Sequence, residues 1–231
     1  MRPSPERDPH ALLYLAADFL DDIERLKIAT ENRVRALDQI KGQMVSPMAI
    51  EFEAQLARVR EIEKDAIKMV EKRMREHPLG PFVKRTVGLG DKQAGRLLAA
   101  VGDPYLRPVF DEDGAIIGER PRRGPAELWA YCGLHVVDGK RPRFTRGQQG
   151  DWNATAKKRA YLCAASCIKQ MHSPYRAVYD RERAKWADRD TTDLHKHNHA
   201  LSVVAKEILK DLWIEARDLH HAGADDLPIA A

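Results

Sequence analysis

Three cysteines, Cys132, Cys163 and Cys167, are all the thiols in 231 residues. A set so small and odd in number builds no disulfide framework. Cys163 and Cys167 stand four apart, one face of a helix, beside Leu162, Ala164, Ala165 and Ile168, so they read as reduced core thiols and imply no metal site. Aromatic residues are only 6% of the chain against 32% charged, which disfavours a sandwich or barrel and suits a helix-rich protein. No apolar run approaches the ~20 residues that cross a bilayer, and the opening Met1 to Asp8 lacks a signal-peptide core. A cytoplasmic protein with no membrane partner is expected. Serine is absent between Ser46 and Ser166. Residues 1–79 offer no strands that could gather carboxylates around a catalytic Mg²⁺.

What is present is helical periodicity. Leu12, Leu15, Phe19, Ile23, Leu26, Val34 and Leu37 recur in steps of three and four, with Thr30 bridging one gap. Gly42 to Pro47 breaks the pattern, and a second helix follows through Phe52, Leu56, Val59, Ile62, Ala66, Val70 and Met74 to His77-Pro78. The two predict an antiparallel hairpin over 11–76 with a coiled-coil surface. Two helices alone bury little, so part of this face is expected to make a homo-oligomer. Residues 1–10 and 222–231 read as loose tails, and 77–221 as a helical domain.

Within that domain the pattern predicts a short helix at Pro81 to Arg85, a turn, and a helix from Asp91 to Val101. A small β-hairpin is expected over Val109 to Ile117, where Asp113-Gly114 supplies a tight turn. Further helices are expected at Pro125 to Cys132 and over roughly 153–172, 174–187 and 194–221. The fold class is therefore mainly α, with a helical hairpin, a helix-hairpin-helix element and one β-hairpin.

Charge is placed unevenly. Residues 1–79 carry 14 basic and 15 acidic side chains, whereas residues 139–189 carry 13 basic against four acidic, a local net charge of +9. A confined positive field is the footprint of a polyanion, because each phosphate neutralised releases condensed counterions. Two motifs sharpen this. Thr86-Val87-Gly88-Leu89-Gly90 between two helices is a helix-hairpin-helix pattern, in which glycines let the turn approach a phosphate and the next helix points free amides at it. Lys84, Arg85 and Lys92 flank it. The loop from Gly139 to Trp152 then interleaves Lys140, Arg141, Arg143 and Arg146 with Phe144 and Trp152, as suits a strand gripped by charge and stacking. Trp152 reads equally as a core anchor. Lys157, Lys158 and Arg159 follow in the first turns of a helix, where only an anion makes cations welcome. The expected contacts are thus Lys84, Arg85, Gly88, Gly90, Lys92, Lys140, Arg141, Arg143, Arg146, Trp152, Lys157, Lys158 and Arg159, all to backbone. Of His195, His197 and His199, only the first and last share a helix face, and no carboxylate or cysteine completes a metal set. No cofactor is implied.

The order of pieces carries a resemblance. His77-Pro78-Leu79, Val87-Gly88-Leu89-Gly90, Val101-Gly102-Asp103-Pro104, Leu128-Trp129-Ala130-Tyr131-Cys132-Gly133-Leu134 and Gly139-Lys140-Arg141 are its first half. Lys157-Lys158-Arg159-Ala160-Tyr161-Leu162, Pro174-Tyr175-Arg176-Ala177-Val178-Tyr179 and Ala205-Lys206-Glu207-Ile208-Leu209 continue it. Over residues 77–217 the chain resembles the C-terminal domain of bridge-RNA-guided insertion-sequence transposases, the IS-one-ten family, and residues 11–76 resemble that family's coiled coil. The resemblance implies DNA, RNA or a hybrid as partner. It also implies a RuvC-like metal domain and a nucleophilic serine just before the Gly-Lys of the basic loop. Here Val136-Val137-Asp138 stand in the serine's place, Thr145 is the loop's one hydroxyl, and no RuvC-like domain is expected ahead of the hairpin. The β-hairpin is an addition to the family pattern. The expectation is a transposase-derived DNA-binding protein without catalysis of its own. The alternatives are a recombinase subunit completed in trans and a coiled-coil assembly protein that meets an acidic protein.

Overall fold

The computed structural model describes residues 8–38, 47–136, 139, 141–143, 147 and 150–225. Helix α1 (Pro9–Asp38) and helix α2 (Pro47–Glu76) form the antiparallel hairpin. Lys27 reaches Glu63 at 2.5 Å and Arg60 reaches Glu31 at 3.4 Å across it. Helices α3 (Gly80–Arg85) and α4 (Asp91–Val101) follow, then strands β1 (Leu106–Phe110) and β2 (Ile116–Pro121), and helices α5 (Pro125–Tyr131), α6 (Ala154–Cys167), α7 (Pro174–Lys185) and α8 (Asp193–Asp225). The mainly helical class with one β-hairpin is as the sequence predicts. Among the described residues, no helix is long and apolar enough to cross a membrane.

The chain is layered around α4. Its Ala94, Leu97, Leu98 and Val101 are buried between the base of the hairpin and α6, and α6 in turn packs on α8, which also holds α5 and α7. One continuous apolar cluster runs from Leu13, Leu20, Val70 and Met74 through Leu97 and Cys163 to Leu201, Ile208 and Leu212. The base of the hairpin therefore shares its core with the helical domain. The distal part, with Val34, Leu56 and Val59, is buried separately within the hairpin.

The face that α1 buries differs from the stripe read in the sequence. Leu13, Ala16, Ala17 and Leu20 go inward, while Leu15, Phe19 and Leu26 are exposed, as is Ile62 of α2. The reason is α4, which takes up the small-residue side of α1 and leaves the larger side chains outside. Thr30 is buried because its hydroxyl donates back to the Leu26 carbonyl at 2.9 Å.

The β-hairpin is longer than expected, pairing Leu106 with Pro121 through Val109 with Gly118, with an irregularity before Phe110 and Ile116. Its turn is held by Asp111, whose carboxylate accepts from the Asp113 and Ala115 amides. Helix α6 stops at Cys167 instead of near 172. Its end abuts the α3–α4 turn, and Ser173 then caps α7 ahead of Pro174. All three cysteines are free and buried, and burial pushes the Cys132 thiol up to about 12 and the Cys167 thiol up to about 11.

Candidate nucleic-acid interface

The helix-hairpin-helix turn forms where the sequence places it. Thr86 ends α3, its hydroxyl donating to the Phe82 carbonyl at 2.7 Å, and the Leu89 amide donates to the Thr86 carbonyl at 3.1 Å. Gly88 takes φ +94°, and a Cβ there would lie 2.8 Å from the Cys167 Cα. Its special conformation thus serves close packing against α6, a correction to its expected role of approaching a phosphate. Gly90 does face outward: it caps α4, and nothing lies within 4 Å of where a side chain would start. Asp91 occupies the first turn of α4, and Arg75 pairs with it at 3.1 Å. Of the flanking cations, Arg85 is tied to Glu215 at 2.5 Å and Lys92 to Glu24 at 3.4 Å. Lys84 is exposed and enters no ion pair among the described residues.

The basic run on α6 separates by direction, since successive helical residues point about 100° apart. Arg159 is 6% exposed, and its guanidinium grips both oxygens of Asp21 at 2.6 and 2.7 Å. Arg96 of α4 binds the same carboxylate and also Glu24 at 2.6 Å. Arg159 is therefore an internal brace between α6 and α1, a second correction, because a long cation on a core-facing position is tolerated only when paired. Lys158 is exposed and lines a different hollow, between α1, α4 and α6. Lys157 points to the remaining basic residues. Trp152 packs its indole on the Gly133 backbone, and the Lys157 ammonium lies 5.3 Å from its ring centre, so it acts as the anchor that holds Lys157.

Lys157 then joins Arg141 and Arg143 on the wall of a cavity of about 1030 Å³, completed by Arg189, His195 and His199. Among the described residues none of Arg141, Arg143, Lys157 or Arg189 has a carboxylate within ion-pair distance, in contrast to Arg159, Arg176, Arg181, Arg183 and Lys185 of the same basic stretch. The Arg141 guanidinium donates instead to the Ser202 hydroxyl, and the Lys157 ammonium to the Pro142 carbonyl at 3.4 Å. Burial pulls the Arg141 guanidinium below its ordinary range. Burial, and after it the Arg141 charge, does the same to Lys157 and to Lys206 of α8. Among the described residues, Arg141, Arg143, Lys157 and Arg189 thus gather here with no carboxylate within ion-pair distance of any of them. An anion bound in the cavity would oppose the downward shifts of Arg141 and Lys157. Lys140 and Arg146, together with Phe144 and Thr145, lie outside the described residues.

The sequence singled out Arg141, Arg143 and Lys157, and the fold brings them together. It does not add Lys84, Arg85, Gly88, Gly90 or Lys92, none of which lines this cavity. Three residues went unassigned. Arg189 closes the basic stretch, and its guanidinium sits 4.2 Å from the Trp186 ring centre; His199 stacks on that same ring at 4.0 Å, with His195 beside it. The shared face of His195 and His199 was the available signal. Only the folding of α7 and α8 across the basic segment turns that face toward the arginines. Among the described residues no group of three His, Cys, Asp or Glu side chains is gathered to hold a metal ion.

No family model matches this chain, and no curated protein matches it.

Proposed function

We propose that the chain binds the sugar-phosphate backbone of a nucleic acid, DNA foremost, and that it is transposase-derived without strand cleavage of its own. The observation that carries the reading is the set of cations around one cavity, half-buried Arg141 and Lys157 with exposed Arg143 and Arg189, none with a carboxylate partner among the described residues. Keeping Arg141 and Lys157 partly desolvated beside further cations costs stability, and a phosphate offsets that cost. Phosphate contacts fix register without reading sequence, so little base preference is expected. The transposase part rests on the resemblance over residues 77–217, and the absence of cleavage on the valines and aspartate that occupy the place of the family's serine. The exposed Leu15, Phe19 and Leu26 of α1 support self-association through the hairpin.

Mobility shift across a salt series tests the reading. Duplex or structured RNA should be retained at low salt, with log affinity falling linearly as log salt rises by roughly one unit of slope per phosphate contact. No retention of duplex, single strand or structured RNA at low salt refutes it. A second arm, nicking of supercoiled plasmid in Mg²⁺ with and without Thr145→Ala, should show no Thr145-dependent cleavage.

A further inference from the structure

His199 stands on the wall of the basic cavity, one helical turn beyond His195 on α8, and nothing in the proposed contacts uses it. Its ring is held in place by stacking on Trp186 of α7, 4.0 Å between centres and 25° from parallel. The groups that face it are mostly positive: Arg141 and Arg143 from the basic segment, Lys157 from α6, Arg189 from the α7–α8 connection and His195 from its own helix. Among the described residues the one facing carboxylate is Glu182 of α7, 3.8 Å from its Nε2. Glu182 is already engaged, by Lys185 at 2.7 Å and Arg181 at 3.6 Å.

We infer that His199 contacts the bound phosphate as an imidazolium, so that nucleic-acid binding by this cavity takes up a proton. The inference rests on the reading proposed above and specifies its chemistry. In the free protein a charge on the ring meets four cations and one shared carboxylate, so the neutral imidazole is favoured. A phosphodiester placed among Arg141, Lys157 and Arg189 reverses that balance, and the protonated ring then offers an N–H to the phosphate. The ordinary titration of His199 is already displaced downward, first by burial and then by Arg141, which leaves room for the bound anion to move it up. By linkage, the affinity then falls by up to about tenfold for each unit that the pH rises between the free and bound titrations of one group.

The test uses the full chain and a fluorescein-labelled DNA duplex at one fixed low salt concentration. Binding is followed between about pH 5.5 and 8, where histidine titrates. Wild-type affinity should weaken steadily with rising pH, and His199→Gln should abolish that slope while His195→Gln keeps it. Calorimetry of the wild type in buffers of different ionisation enthalpy should register net proton uptake on binding, a reading independent of any variant's folding. Binding that is independent of pH, a slope that survives in His199→Gln or vanishes only in His195→Gln, or zero proton uptake overturns the inference while leaving the nucleic-acid reading intact. No binding at any pH overturns both.

Discussion

On the proposed reading, Arg141 is kept for its ligand. Its guanidinium is half-buried, leans on the Ser202 hydroxyl and has no carboxylate among the described residues. Replacing such a cation by an apolar side chain of similar length removes a desolvation cost. Arg141→Met should therefore raise unfolding stability by up to about 1 kcal/mol while weakening DNA binding. Urea denaturation and anisotropy on one preparation check both signs. The glycines of the α3–α4 turn differ in the same residue-level way. Gly88→Ala meets both a positive φ and the Cys167 backbone, and should cost at least about 2 kcal/mol. Gly90→Ala enters open space at an ordinary φ of −79° and should cost less than about 1 kcal/mol.

His77 is one group through which stability falls in acid. Its Nδ1 accepts the Leu79 amide at 3.1 Å, so its Nε2 carries the proton and donates to His10 Nδ1 at 3.1 Å, with Asp103 and Asp8 beyond. Burial, and then the neighbouring His10, lowers its titration to about 4. The unfolded chain takes up this proton near pH 6.5 and the folded chain only near 4, so stability falls as the pH falls across that window, by about 3 kcal/mol in all. His77→Gln should flatten the decline in a series of urea titrations.

At the scale of elements, one carboxylate of α1, Asp21, takes both Arg159 and Arg96 and so ties the helix to α6 and α4 at once. Beside it, burial alone would raise the Glu24 carboxyl, yet Arg96 and Lys92 hold it down to about 2. Asp21→Asn leaves the buried Arg159 without a carboxylate and should cost about 3 kcal/mol. Among the described residues the opposite face of α1 has no such tie, and Leu15, Phe19 and Leu26 stand exposed along it. Phe19→Glu should lower the mass observed by light scattering while leaving helical content unchanged. Both features bear on what could be read in advance. Helix positions were legible because Pro, Gly and Ser punctuate a 3.6-residue period. Which face of α1 turns inward was not, since α4 competes with α2 for it and that competition is absent from a local pattern. For the same reason Arg159 looked like part of a basic run, although its neighbour in space is an aspartate 138 residues away.

On the scale of the whole molecule, the cations around one cavity are set apart by their want of carboxylate partners among the described residues. Many cations of the hairpin, Arg85 of α3, Lys92 and Arg96 of α4, and those of the outer α7 surface meet carboxylates, while among the described residues those around the cavity between the basic segment, α6 and α8 do not. Net charge in the sequence marked the stretch but could not say which members would be neutralised by folding. The measurement that bears most directly on this separation is DNA affinity of an Arg141→Ala, Arg189→Ala double variant against a Lys68→Ala, Lys72→Ala double variant of the hairpin surface, each across a salt series. The cavity variant should bind more weakly at every salt concentration, with a salt slope shallower by about two, and the hairpin variant should match the wild type. Equal behaviour of the two variants, or loss confined to the hairpin variant, would contradict the assignment of the cavity as the phosphate-binding face.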